Sequence, residues 1–376
     1  MKQEGFQKFI SVLLALVLTL GLALPAMAAD GSGEQGSKLS FEQVSADEYN
    51  VGLSRRDEVS TEETEEPLYE DTDVVRVSIV LDRKSTLKKG FSTMSIADNN
   101  KAMAYRSSLQ AQQAAVTQKI SRNALDGENL DVVWNLTLAA NIISANVSYG
   151  DIDAIKAVSG VADVVLETRY EPQVASVDAL NPNMATSGSM IGSPVAYAAG
   201  YNGAGSRIAV IDTGTDTDHQ SFNADAFQHA IDKDKANGKT VSLMTKDTLT
   251  ADVISKLNIG KNAGVTADSL YRNAKLPFAY NYVDGDLDVT HDNDSQGEHG
   301  SHVAGIATAN RYIKNDDGTY SDALEVAHMQ GVAPDAQLIT MKVFGKSGGA
   351  YDSDYMAAIE DAILRGCDSI NLSLGS

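Results

Sequence analysis

Cysteine is almost absent. Of 376 residues only Cys367 carries a thiol, so no intrachain disulfide exists and stability must come from burial rather than cross-links. Basic charge is also scarce: 30 Lys and Arg stand against 51 Asp and Glu, a formal net charge of −21. A surface of that sign repels phosphate backbones and anionic lipid, which excludes nucleic acid as an expected partner. Only six histidines occur, none in the HExxH spacing that places two imidazoles on one helical face, so no zinc site is expected. No internal repeat is present. What remains is ordinary for globular chains, with 43% hydrophobic and 22% charged residues, enough for two or three domains.

Long apolar runs are missing except at the start. Lys2 and Lys8 precede the run Phe9 to Leu24, which is followed by Pro25 and the small-x-small triplet Ala26, Met27, Ala28. That layout is a secretory signal peptide over residues 1–28, with a mature N-terminus near Ala29, and the run is short for a membrane span. Removal leaves no span, and the protein is expected to be secreted, to the extracellular space or the cell envelope of a bacterium. Residues 29–73 read as a solvated acidic spacer, since 14 acidic residues against three basic ones fall between Asp30 and Asp73 without an apolar period. The GSGEQG within it matches a dinucleotide fingerprint only formally, because no strand precedes it.

Periodicity begins at VVRVSIVL, where Val75, Val77, Ile79 and Leu81 alternate with Arg76, Ser78 and Val80. A helix is expected over Ala102 to Ile120, strands over Val132 to Leu138 and Ile142 to Ser148, a short helix capped by Asp151, and a last strand over Ala162 to Glu167. Strand, helix, strand, strand, helix, strand is the split-βαβ order, so residues 74–170 are expected to form a small α+β, ferredoxin-like domain. Residues 171–190 read as an exposed linker. Residues 191–376 change character: strand Arg207 to Asp212, helix His302 to Ala309, strand Gln337 to Phe344, helix Asp352 to Arg365, strand Ser369 to Leu374. Apolar strands alternating with helices predict an α/β domain with a parallel sheet and helices on both faces. The polar stretch Ala224 to Lys275 reads as an insertion on the rim.

Three segments bear chemistry: RIAVIDTGTDTDHQSF around Asp212, GEHGSHVAGIAT around His299, and GVAPDAQLITMKVF leading to DSINLSLGS. Together they resemble the subtilisin-like serine peptidases, and LPFAYNYVDGD with the long insertion is similar to the large cell-envelope branch that includes lactocepin. The HGSHVAG string is specific; VIDTG alone is not. The resemblance implies that residues 74–170 are an inhibitory propeptide acting in cis and that 191–376 begin the catalytic domain. It also implies that protein or peptide substrates add as a strand between two cleft edges, here Gly349, Ala350 and Tyr351 on one side and Ser373, Leu374 and Gly375 on the other. The bland alternatives are turn chemistry for Gly348 and Gly349 and a core strand for Ile370 to Leu374.

The residue types fit that chemistry. A serine hydroxyl needs an imidazole to take its proton, and the imidazole needs a carboxylate to fix its tautomer. Asp212, ending a buried strand, is the expected carboxylate and His299, opening the next helix beside Gly300, the expected base. DTG also occurs in aspartic peptidases, but these need a second such carboxylate and the chain has no other D-[ST]-G. His302 is expected to pack structurally, and His219, His229, His291 and His328 have no supporting constellation. No cofactor is expected. Five aspartates between Asp284 and Asp294 leave calcium open against a plain solvated loop.

No G-T-S-x-A segment occurs in the 376 residues. The chain as it stands is therefore expected to be a truncated fragment, supplying two members of the triad and hydrolysing nothing alone. A non-catalytic secreted inhibitor or binding protein, a decayed peptidase, is the alternative.

Overall fold

The computed structural model describes residues 69–171, 184–290 and 297–373, all within one compact unit, Glu65–Ser376. The expected signal and nearly all of the acidic spacer lie outside the described residues.

β1 (Val74–Leu81), β2 (Asp131–Leu136), β3 (Ile142–Ser148) and β4 (Val161–Leu166) form an antiparallel sheet in the order β2-β3-β1-β4, the split-βαβ topology. Alternation works as expected: Val77 and Ile79 are fully buried on one face, against Val116, Ile120 and Ile155 of the two helices. The first helix, Asn100–Asn123, starts ahead of the apolar pattern because the Asn99 side chain accepts the amides of Lys101 and Ala102. Asp151 does not cap the second helix, Ile152–Lys156. A 3₁₀ turn, Tyr149–Asp151, runs directly into it, so Asp151 is already helical (φ −83°, ψ −10°) and its side chain makes no capping bond.

β5 (Arg169–Tyr170) follows, then the helices Met184–Met190 and Ser193–Ala198. The first of these is a short helix inside the expected linker, masked in the sequence by Ser and Gly within MATSGSM, and only 172–183 fall outside the described residues.

β6 (Arg207–Asp212), β7 (Phe278–Asn281), β10 (Gln337–Lys342) and β12 (Ser369–Leu372) form the parallel sheet, in the order β12-β6-β10-β7. Two-sided coverage follows from the alternation along these strands. Val210 and Leu338 pack with Ala304 of the helix His299–Thr308. Ala209, Ile211, Ile339 and Met341 pack with Ala358 and Ala362 of the helix Asp352–Leu364. β7 escaped the sequence reading because it has only four residues, FAYN, all buried. The hairpin β8 (Tyr312–Lys314) and β9 (Tyr320–Asp322) stands apart, and β11 (Ala350–Tyr351) pairs with β5.

The stretch 224–275 is not a rim insertion. It carries the helices Ala224–Ala236, Ala251–Ser255 and Ala267–Leu270, and its Met244, Leu249, Ile254, Leu257, Ile259 and Leu270 enter the main core. These apolar residues are spaced by loops rather than by a helical period, which hid them.

Candidate active site

β6 is flanked on both sides by parallel partners, with Asp212 opposite Lys342 of β10 and Leu372 of β12 opposite Ile211. The carboxyl ends of three strands therefore surround one carboxylate. Asp212 is 1% exposed, and its Oδ1 accepts the Thr213 amide at 2.7 Å and lies 2.8 Å from His299 Nδ1. An ionised carboxylate can only accept, so Nδ1 carries the ring proton and Nε2 is left as the basic nitrogen. The His299 side chain keeps 20% of its surface exposed, which leaves the ring reachable from solvent. The sequence-predicted pair is thus in contact.

Residues that the sequence reading passed over hold the pair in place. Thr213 Oγ1 accepts the Gly300 amide at 2.9 Å, and Ser301 Oγ accepts the Asp216 amide at 2.8 Å, which ties the first turn of the helix His299–Thr308 to the loop after β6. Lys342 Nζ donates to the Thr213 carbonyl at 2.5 Å from a side chain 1% exposed. A lysine ending a strand otherwise without charge was the available signal. Gly300 does not serve to clear space around the ring; it lets the helix touch the loop. A Cβ there would meet the Gly214 carbonyl oxygen at 2.1 Å, and Gly214 (φ 116°) is itself pressed against the Val289 carbonyl. Gly300→Ala is therefore expected to destabilise the chain by about 2 kcal/mol or more, because neither backbone can retreat. Thermal unfolding checks this, and an unchanged midpoint refutes the contact.

The two predicted cleft edges leave the sheet on either side of Asp212. Ser373 follows β12 and donates its hydroxyl to Asn371 Oδ1 at 3.0 Å; Leu374 and Gly375 lie outside the described residues. On the other side, β11 is occupied. Ala350 pairs with Tyr170 and Tyr351 with Arg169, antiparallel. The Arg169 side chain lies over Gly349, whose φ of 66° is the reason for glycine there; the flexible guanidinium end could move aside from a Cβ. Tyr170 sits edge-on to Tyr355 with centroids 5.8 Å apart, and burial raises the pKa of its phenol.

Other candidates are not brought to this place. His302 is exposed rather than packed, because it falls on the outer side of its helix. His219 accepts the Ser221 amide, His229 stacks on Tyr320, and His291 lies outside the described residues. Cys367 is no nucleophile: burial pushes its thiol up to about 12. Asp284 Oδ2 accepts Asn281 Nδ2 and the Lys346 amide, and Asp286 pairs with Lys346 Nζ at 3.3 Å. Asp292 and Asp294 are outside the described residues, and among the described ones no group of three or more His, Cys, Asp and Glu is placed to hold a metal. Nor is any described helix long and apolar enough to cross a membrane.

Residues 203–376 match the model of the subtilase family. The PI-type proteinase of Lactococcus lactis subsp. cremoris is 29% identical over 317 residues, covering 83% of this chain and 14% of that protein. The minor extracellular protease Vpr of Bacillus subtilis is 25% identical over 383 residues, covering 100% of this chain and 36% of its own length. Among solved structures, the epidermin leader peptide processing serine protease of Staphylococcus aureus aligns with a TM-score of 0.39 and 18% identity, over 81% of this chain and 50% of that one. The chain thus spans between about a seventh and about a third of the length of these two curated relatives.

Proposed function

We propose that this chain, whose residues 203–376 form a subtilase-family domain, is the leading part of an exported serine endopeptidase precursor, with residues 74–170 as its inhibitory propeptide. The observation that carries the reading is the 2.8 Å contact between His299 Nδ1 and Asp212 Oδ1 at the carboxyl edge of the parallel sheet. Such a pair does one thing well. Nε2 takes a proton from a hydroxyl as it attacks a peptide carbonyl, the buried carboxylate stabilises the imidazolium, and the proton then passes to the leaving amine. Asp212 and His299 supply two members of such a set, and no G-T-S-x-A segment to bear the serine occurs among the 376 residues. Export is supported by the signal-like first 28 residues and by likeness to an extracellular protease.

The pairing of β5 with β11 supports the inhibitory role. Main-chain hydrogen bonds on a strand edge are how an extended substrate is held, and here the chain's own Arg169 and Tyr170 take that edge. Cleavage within 171–190 and departure of the N-terminal unit free it for substrate. The test uses the chain extended through its downstream codons and a serine-directed fluorophosphonate label. Wild type is expected to label, and Asp212→Asn, which imposes the wrong tautomer on His299, to label about 10⁴-fold more slowly. Absence of an in-frame G-T-S-x-A, or equal labelling of the two, overturns the proposal.

A further inference from the structure

Part of the stretch 224–275 has no role in the triad chemistry, yet it grips the N-terminal unit. Arg106, on the helix Asn100–Asn123, is 4% exposed, and its guanidinium divides three ways. Nε donates to Thr137 Oγ1 at 3.0 Å within its own unit; Nη1 donates to the Lys256 carbonyl and Nη2 to Asn258 Oδ1 at 3.3 Å. Lys256 Nζ reaches back to the Ala97 carbonyl at 3.5 Å. Beneath these bonds Ile96 and Ala102 share one buried apolar cluster with Ile254, Leu257 and Ile259. A guanidinium removed from water is tolerated only where its donors are met, so Arg106 is satisfied in this state because the two surfaces meet.

The receiving surface is fixed independently of its occupant. Asp361 accepts the amides of Asn258 at 2.7 Å and Ile259 at 3.4 Å, and Asn258 Nδ2 donates to the Ala357 carbonyl at 3.3 Å. Residues 256–259 are thereby pinned to the helix Asp352–Leu364, presenting a carbonyl and an amide oxygen at one place. The β5–β11 pairing, in contrast, is made of backbone bonds that any extended chain supplies.

We propose that residues 250–262 are a second docking surface for the chain's own N-terminal α+β unit, keyed to the Arg106 guanidinium, and that it keeps that unit bound over the cleft after the connecting segment is cut. The proposal rests on the inhibitory reading above and adds the source of selectivity: the unit recognised is one carrying a guanidinium at this position.

The test needs no hydrolysis by the chain itself. A recognition sequence for an added site-specific endopeptidase is placed between residues 172 and 183, the full chain is cut, and separation of the pieces on dilution is followed by tryptophan emission. Trp134 is the only tryptophan, is 6% exposed, and donates its Nε1 to Asp354 Oδ1 at 2.8 Å across the same interface. Arg106→Ala and Asn258→Ala are each expected to raise the dissociation constant at least about tenfold, and the double variant little further, since charged hydrogen bonds made in common are lost once. Arg106→Lys keeps the charge but not the fork and should remain weak. An unchanged constant in either alanine variant, or fully additive losses, overturns the proposal; if Arg106→Ala does not fold, Asn258→Ala decides alone. Failure of the peptidase reading would show in the labelling experiment without moving this constant.

Discussion

His299→Ala, made in the chain extended through its downstream codons, is expected to lower peptide turnover about a million-fold and to leave the precursor uncut between residues 171 and 190. The size follows from what the ring does. Without Nε2 the attacking hydroxyl keeps its proton at neutral pH, and among the described residues no other titratable side chain contacts Asp212. Members of such a set act as one unit, so Asp212→Asn added to His299→Ala should cost almost nothing more. Trp134 emission, which reports an interface formed by other elements, should match in the variant and in wild type that has not yet been cut, and so certifies the fold. Mass spectrometry of the purified precursor reads self-cutting directly. A His299→Ala protein that still processes itself within about tenfold of wild type would mean that another group is the base.

How much of this was legible in the sequence depends on how locally each feature is encoded. The Asp212 and His299 pair was readable because each sits where a period stops: RIAVID ends a buried strand, and HGSHVAG opens a helix. The parallel sheet followed from alternating apolar runs. Apart from the single charge of Lys342 in QLITMK, the residues that position the pair were not readable, because their signals are long-range. Gly300 touches Gly214 across 86 positions, and Thr213 meets Lys342 across 129, distances over which no period runs. The same holds for Met244 to Leu270, whose apolar residues acquire meaning only when the helix Asp352–Leu364 and the N-terminal sheet close over them. Length misled as well: β7, β5 and β11 span four, two and two residues, too short for any alternation to register.

The interface between the N-terminal unit and the helix Asp352–Leu364 has an uncommon composition, and the composition explains why few alternatives to it exist. Ser353 Oγ donates to Glu167 Oε2 at 2.8 Å, Asp352 Oδ2 accepts the Thr168 amide at 2.8 Å, and Trp134 donates to Asp354. Burial raises the pKa values of Glu167 and Asp354. In a chain of net charge −21, acidic groups gathered against donors from a partner surface are tolerated only in the one arrangement that satisfies them. Misplaced docking leaves carboxylates buried against nothing, which is a stronger discriminator than apolar contact alone.

Glu360 meets three backbone amides of the N-terminal unit, and its removal is expected to have the second large effect. It is fully buried; Oε1 accepts the amides of Leu138 at 2.7 Å and Ala139 at 2.8 Å, and Oε2 accepts the Thr137 amide at 3.3 Å. Residues 137–139 turn from β2 towards β3, and the carboxylate is what meets their amides. Glu360→Ala leaves buried donors unmet at about 1–3 kcal/mol each, so the severed N-terminal unit should bind at least about 100-fold more weakly. The pH dependence has a definite sign. Burial raises the Glu360 carboxyl above 4.5 in the docked state, with Arg106 and the same amides pulling the other way. A group raised on docking holds more proton when docked, so its contribution is full below its free value and is lost as pH rises through the docked one. Glu167 and Asp354 are raised likewise, and all three therefore make release easier as pH increases. Glu360→Gln should bind more tightly than Glu360→Ala and show a flatter pH profile than wild type as pH rises above the ordinary carboxyl range, measured by Trp134 emission on dilution of the severed chain. Binding that strengthens toward alkaline pH, or a Glu360→Ala constant within a few-fold of wild type, would show that the amides of residues 137–139 find other partners when the helix withdraws its carboxylate.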